Sequence, residues 1–234
     1  MSDIRLTWLG HSAFVLEYEG KIILIDPWVM QNPSCPEQYK QFDKIDLMLI
    51  THGHFDHIGD AVVLAGRHEP TIVAIFETGE WLSKKGVGNL ESMNKGGTLQ
   101  WEGIDITMTT ADHSCGITDD DGSIIYGGEA VGYVLSFPNG KKIYHAGDTN
   151  VFGDMALIHD LYNPDLAILP VGDRFTMGPR EAARAIDLLE APKVIPMHFG
   201  TFPMLTGTPD QLRLLTREKP VELIELTPGE TYVH

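Results

Sequence analysis

Four side chains that can bind a metal ion occur within six residues, in the stretch HGHFDH at positions 52–57. They are His52, His54, Asp56 and His57. The stretch follows an apolar run at residues 47–50, and alternate side chains of an extended segment share one face. Neutral imidazoles and carboxylates suit zinc, manganese or iron, while the lack of thiolates argues against a purely structural zinc site. The spacing therefore predicts a catalytic metal centre.

One loop cannot complete two coordination spheres, and three further candidate ligands lie far along the chain. His113, Asp148 and His198 each follow a short apolar run that has the composition of a β-strand. Loops at one edge of a sheet converge in layered α/β folds, and sites form there. We therefore expect these three side chains to join the first cluster.

The elements that must position these residues are short strands interleaved with helices. We expect strands at residues 3–9, 13–18, 21–26, 47–51, 71–76 and 104–110, and then at 123–126, 132–137, 142–146, 166–171, 194–197 and 221–226. Helical patterns cover residues 179–190, 60–66 and 79–85, and a capping box at Thr208 begins another helix with Leu212 and Leu215 inward. Hairpin-like strands followed by alternating strands and helices, in each half, predict an α/β fold of two similar halves packed face to face. We expect a single domain over residues 1–234.

The spaced set of HGHFDH, a lone histidine, a Gly-Asp pair and a late histidine resembles the metallo-β-lactamase superfamily. The segments LGHS at 9–12, Asp26-Pro27 and PMHFGTF at 196–202 are most similar to a branch of uncharacterised bacterial and archaeal metal-dependent hydrolases, related to L-ascorbate 6-phosphate lactonases. The resemblance implies a four-layer αβ/βα sandwich and two divalent metal ions. It assigns His52, His54 and His113 to the first metal, Asp56, His57 and His198 to the second, and Asp148 to a bridge between them.

Such a centre implies hydrolysis of a small ester, lactone or phosphodiester. Two divalent ions can share a water molecule and lower its pKa towards neutrality. Zinc is the expected metal, with manganese or iron as alternatives. Asp56 is the candidate catalytic carboxylate, which would orient the hydroxide or carry a proton. The ligand charges leave a mildly cationic site, which would attract a small anionic substrate.

Other candidates lie outside the ligand set. His11 is a candidate catalytic residue that would contact a ligand or the substrate, although it could instead cap a hairpin. Asp26 is expected to accept a hydrogen bond that steadies the ligand loop. The candidate substrate-binding residues are Arg174, Phe175, Thr201 and Phe202. Arg174 could hold a carboxylate or phosphate in a fork, or form a surface ion pair.

Composition excludes several classes of partner. The 17 Lys and Arg against 33 Asp and Glu give a net charge of −16, which argues against nucleic acid and anionic membranes. The apolar runs are too short for membrane insertion, and the first residues lack a signal-peptide pattern. Cys35 and Cys115 form no paired motif, so we expect a reduced, cytoplasmic protein. The sequence leaves the oligomeric state open.

Three other functions stay open at this point. Diiron relatives carry Glu where His54 stands, so His54 favours hydrolysis, but a mononuclear iron sulfur dioxygenase keeps a similar histidine motif. Nucleic-acid processing fits the charge badly, because the backbone of nucleic acid is itself anionic. A non-catalytic, metal-stabilised binding protein is the third alternative.

Overall fold

The computed structural model describes residues 2–234 and forms two compact units, each built around a seven-stranded mixed sheet. Unit 1 contains the described residues up to Asn94 together with residues 114–130 and 226–234. Unit 2 contains residues 95–113 and 131–225. The candidate ligands divide between the units: the HGHFDH loop lies in unit 1, and His113, Asp148 and His198 lie in unit 2.

The sheet of unit 1 begins as an antiparallel meander and continues as parallel strands. The meander consists of β1 (Arg5–Trp8), β2 (Phe14–Tyr18) and β3 (Lys21–Ile25). Next to β3, in parallel, lie β4 (Leu47–Leu49), β5 (Thr71–Ile75) and β6 (Leu90–Met93). All three residues of β4 are fully buried, as expected of a strand covered on both faces.

Three helices and a small hairpin complete unit 1. The helices are α1 (Phe55–Ile58), α2 (Ala61–His68) and α3 (Phe76–Lys84), and a single 3-10 turn spans Glu37–Tyr39. Leu64 of α2 and Leu82 of α3 pack into one core with Met48 and Ile72 of the sheet. A separate two-stranded hairpin pairs β9 (Gly116–Thr118) with β10 (Ile124–Tyr126).

Unit 2 repeats the order of a meander followed by parallel strands. Its antiparallel strands are β7 (Thr98–Trp101), β8 (Ile104–Thr110), β11 (Val131–Ser136) and β12 (Lys142–His145). The parallel strands are β13 (Leu166–Pro170), β14 (Lys193–Met197) and β15 (Glu222–Leu223). The helices are α4 (Met155–Tyr162), α5 (Pro179–Leu189) and α6 (Pro209–Thr216).

A late strand forms one edge of the unit 1 sheet. β16 (Thr231–Val233) pairs antiparallel with β1, so that Arg5 lies opposite Val233. Among residues 2–234, no helix combines the length and apolar composition needed to span a bilayer.

The two sheets and their helices confirm the α/β class, and the meander-then-parallel order confirms the predicted organisation of each half. The single-domain prediction stays a prediction. The capping box of α6 is confirmed: Thr208 and Gln211 each accept a hydrogen bond from the other's backbone N–H.

Some local predictions are wrong. Leu212 is buried as expected, but Leu215 is 49% exposed, because α6 buries the face that carries Leu212 and Thr216. The strand expected at residues 221–226 shortens to Glu222–Leu223. Helices α1 and α4 and strands β6, β7, β9 and β16 were not predicted. Asn163, the left-handed residue that ends α4, precedes a proline, and this pair is the signal that could have located the helix.

Candidate metal centre

In unit 1 the HGHFDH loop brings several metal-binding side chains together. It leaves the buried strand β4 and turns into α1, whose N-cap is His54 in an extended conformation. His52 Nε2 lies 3.0 Å from His54 Nδ1. One ligand atom each of His11, Asp56 and His57 lies within 4.8 Å of the other two. The predicted cluster in this loop is therefore formed.

Asp26 holds the HGHFDH loop in place through contacts to Thr51 and His57. It is fully buried, and its Oδ1 accepts a hydrogen bond from Thr51 N at 2.8 Å. Its Oδ2 accepts from the Thr51 hydroxyl at 2.8 Å and lies 2.7 Å from His57 Nδ1. The expected role of Asp26 in steadying the loop is thus confirmed. Thr51, which the sequence reasoning missed, immediately precedes the first histidine, and that position is the signal that could have identified it.

These contacts decide which nitrogen of each histidine faces the cluster. The Nδ1 atoms of His52 and His57 face Thr51 and Asp26, so their Nε2 atoms point the other way. His54 has the opposite arrangement, because Ser114 Oγ lies 3.3 Å from its Nε2 and its Nδ1 faces His52. Two imidazole nitrogens bound to one tetrahedral zinc ion lie about 3.3 Å apart. The 3.0 Å separation of His52 Nε2 and His54 Nδ1 is close to that value.

His11 is buried and contacts a candidate ligand directly. Its Nε2 lies 2.9 Å from Asp56 Oδ2. It also sits in the turn between β1 and β2, where its φ is 58° and its carbonyl accepts a hydrogen bond from Trp8 Nε1 at 2.9 Å. His11 therefore belongs both to the hairpin turn and to the cluster. Histidine is among the residue types that tolerate this left-handed backbone better than most.

The hairpin of unit 1 packs against the same loop. A Cβ added at Gly53 would overlap the side chain of Ile117 in β9, so only glycine allows this close approach. Gly53 N donates to Cys115 Sγ at 3.3 Å, and the thiol donates to Gly127 O at 3.2 Å. Burial raises the pKa of the Cys115 thiol. Cys115 is thus a small buried residue, as expected, and stays a protonated thiol rather than a thiolate ligand.

In unit 2 a carboxylate lies between two imidazoles. Asp148 Oδ2 is 3.0 Å from His198 Nε2 and 3.8 Å from His113 Nε2. All three side chains are at most 12% exposed. His198 follows β14 with a φ of 57°, and a Cβ added at Gly172 would overlap its carbonyl oxygen. The three long-range candidates therefore come together, as predicted for strand-end loops.

The expected substrate contacts are also in unit 2. Arg174 and Phe175 are exposed, and the guanidinium carbon lies 5.6 Å from the ring centroid of Phe175. Thr201 and Phe202 are partly buried in the loop that follows His198. Their roles in substrate binding stay predictions.

The donor set fits a catalytic divalent metal. Both clusters consist of imidazole and carboxylate groups, which are the ligands of zinc, manganese and non-haem iron. The carboxylate behind His57 is the type of partner that orients a metal-binding histidine. Each unit therefore presents a group of imidazole and carboxylate side chains that could hold a metal ion.

The sequence and the fold of this chain are similar to those of known proteins. The sequence profile of the Beta-lactamase superfamily domain matches residues 21–199. A UPF0173 metal-dependent hydrolase of Koribacter versatilis is 56% identical over 236 residues, covering 99% of both chains. One from Methanopyrus kandleri is 47% identical, over 98% of this chain and 99% of the relative. The solved structure of Igni18, described as a metallo hydrolase of Ignicoccus hospitalis, is 36% identical with a TM-score of 0.87, over 99% of this chain and 98% of that one.

Proposed function

The chain belongs to the Beta-lactamase superfamily, and from this premise we propose that it is a binuclear metal-dependent hydrolase. The ligand sets of units 1 and 2 together would hold two divalent ions. The first ion would bind His52, His54 and His113, and the second Asp56, His57 and His198, with Asp148 as the bridge. Zinc suits this donor set best, with manganese or iron as alternatives.

The observation that carries the proposal is that one ring nitrogen of each loop histidine contacts the protein while the other faces the cluster. His52, His54 and His57 each use one ring nitrogen for a protein contact, which leaves the other on the side of the cluster. A histidine that serves only in packing has no need for this arrangement. Metal-binding histidines commonly have it, because the contact to one nitrogen orients the ring and fixes the tautomer that presents the other.

The protein's own groups have distinct tasks in this proposal. When bound, the divalent ions would supply a water molecule of lowered pKa and a positive charge that polarises a carbonyl or phosphoryl oxygen. Asp56 would orient that water molecule or accept its proton, and His11 holds the Asp56 carboxylate in place through its contact at 2.9 Å. Arg174 and Phe175, with Thr201 and Phe202, are the proposed contacts to a small, anionic substrate. An ester, a lactone and a phosphodiester all develop negative oxygen in the transition state, so they suit such a site.

Elemental analysis of the purified protein tests the metal site. We expect about two transition-metal ions per chain, and Asp148→Asn should lose at least one of them, because the proposed bridge contributes a ligand to both ions. Asp112→Asn is the matched control, since Asp112 is an exposed carboxylate beside His113 that is not a proposed ligand. Equal metal contents for the two variants would contradict the bridging role, and protein that takes up neither zinc nor manganese would contradict the proposal.

A substrate screen tests the reaction. Lactones, phosphodiesters and thioesters are compared with zinc-loaded and manganese-loaded protein, and His54→Ala should lose at least 100-fold in kcat/KM. One iron per chain, with oxygen consumed when a persulfide is added, would instead identify a sulfur dioxygenase. Full metal content without turnover of any substrate would favour a binding protein.

A further inference from the structure

A cavity of about 590 Å³ lies in unit 1 beside the HGHFDH loop. It is bounded by the loop with α1, by α2 and α3, and by the β9–β10 hairpin. Its apolar lining includes Trp28, Phe55, Trp81 and Ile117. Its volume falls in the range of small-molecule sites, which are mostly apolar and aromatic. No residue assigned to the proposed metal set lines this cavity.

Phe55 links the cavity to the candidate metal ligands. It stands between His54 and Asp56 in the sequence and begins α1, yet its side chain is 61% exposed. Its ring packs edge-on against Trp28, with the centroids 5.9 Å apart. Gly53, on the other side of His54, also lines the cavity. A molecule held at the ligand loop could therefore extend a substituent along Phe55.

The charged groups of the lining are already satisfied within the protein. The Lys85 ammonium forms ion pairs with Asp119 and Asp120 and lies 5.3 Å from the Trp81 ring centroid. These two carboxylates raise the pKa of Lys85, so the amine stays protonated and paired at neutral pH. Asp60 Oδ2 accepts hydrogen bonds from two backbone N–H groups at 2.7 Å each. The cavity therefore has no uncommitted cation for an anionic group.

We propose that this cavity binds an uncharged aromatic or branched alkyl group of the substrate, so that the enzyme prefers esters and lactones with a bulky apolar substituent. The inference rests on the proposed hydrolase function for its link to turnover. The proposed binding of the apolar group rests only on the residues that line the cavity. Burial of a substituent against Phe55 and the two tryptophans would remove apolar surface from water at both partners.

A binding measurement tests the cavity without requiring turnover. The probe is 1-naphthylmethanol, a neutral bicyclic alcohol. Its dissociation constant for the metal-loaded protein is measured by equilibrium dialysis. Val63→Trp narrows the cavity and should weaken binding at least tenfold, and Phe55→Ala should weaken it about three- to tenfold. The matched controls are Leu214→Trp and Phe76→Ala, which alter exposed apolar residues outside the cavity and should leave binding unchanged.

A kinetic measurement connects the cavity to the substrate. The quantity is the ratio of kcat/KM for 1-naphthylmethyl acetate to that for methyl acetate. Val63→Trp should lower this ratio about tenfold, whereas Leu214→Trp should not change it.

The possible outcomes separate the cavity from the hydrolase function. Probe binding that depends on Val63, without ester hydrolysis, would support the proposed cavity and count against the proposed hydrolase function. Hydrolysis with a ratio that Val63→Trp does not change would overturn the cavity's role. Ultracentrifugation gives the oligomeric mass of the Val63→Trp variant. If this mass changes while probe binding does not, the cavity surface joins two copies of the chain, and that result would also overturn the proposed role of the cavity.

Discussion

Asp26→Asn should separate the support of the ligand loop from the ligands themselves. The substitution keeps the size and shape of the side chain but replaces one carboxylate oxygen by an amide NH₂. If the remaining oxygen still accepts from Thr51 N, the NH₂ group faces the Thr51 hydroxyl and His57 Nδ1 at the former Oδ2 position. The amide NH₂, the Thr51 hydroxyl and His57 Nδ1 are then three hydrogen-bond donors that face one another at a fully buried position.

The expected magnitude follows from those two contacts. Each hydrogen bond to a buried charged acceptor contributes about 1.5–3 kcal/mol, so the loss of both should lower the free energy of unfolding by about 3–6 kcal/mol. His57 can relieve its clash by moving its proton from Nδ1 to Nε2. That proton would then block the nitrogen proposed to bind metal, because a ligating imidazole must offer an unprotonated nitrogen. The metal affinity should fall about 10- to 100-fold.

Two assays measure these effects. Urea unfolding gives the change in stability, and competition with a fluorescent zinc chelator gives the change in affinity. Asp60→Asn is the matched control, because Asp60 is also a buried carboxylate but accepts only from the backbone N–H groups of Val29 and Met30. It should lose stability while keeping its zinc affinity. An unchanged zinc affinity in folded Asp26→Asn protein would refute the reasoning about His57.

Three further predictions concern stability. Gly53→Ala should lower the free energy of unfolding by about 1–3 kcal/mol in urea, because the added methyl group overlaps Ile117; no change would show that the hairpin shifts freely. Thr208→Ala should cost about 1 kcal/mol in the same assay through loss of the α6 cap, whereas an exposed Thr227→Ala control should cost less. Burial raises the pKa of Cys35 to about 12, so the unfolded chain releases this proton first, and stability should fall by about 1.4 kcal/mol per pH unit as pH rises from about 9 to 12. Cys35→Ala should remove that part of the slope, and an identical slope in the variant would contradict the assignment.

The sequence was most informative where the chemistry is local. The spacing of His52, His54, Asp56 and His57 defines a single loop, and the loop has the expected cluster. The position of His113, Asp148 and His198 after strands was also predictable, because the carboxyl ends of strands carry sites in layered folds. The contact between Asp26 and the ligand loop followed from the end of β3 alone.

Features that depend on distant packing were not predictable. The overlap that makes Gly53 necessary involves Ile117, which belongs to a hairpin with no strong strand pattern in β9. Leu215 has the right periodicity for burial, but the face of α6 that is buried carries Leu212 and Thr216 instead. The left-handed backbone of His11, Asp26 and His198 was also not predictable, because histidine and aspartate tolerate this conformation but adopt it at only a few of their positions. Such strained positions cluster at functional sites, and here they coincide with the candidate centre.

The pairing of β1 with β16 bears on how the protein is made. Ile4 and His234 exchange backbone hydrogen bonds at 3.2 and 2.8 Å, so an edge of the unit 1 sheet is completed by a segment more than 220 residues downstream. At a synthesis rate of about 5–20 residues per second, the ribosome needs roughly 10–45 s to produce that segment after β1. During this interval β1 has an open edge, which is the kind of surface that pairs with other chains. Nascent chains stalled before residue 231 should therefore need a chaperone to stay unaggregated, whereas unit 2 has all its strands once residue 223 has emerged.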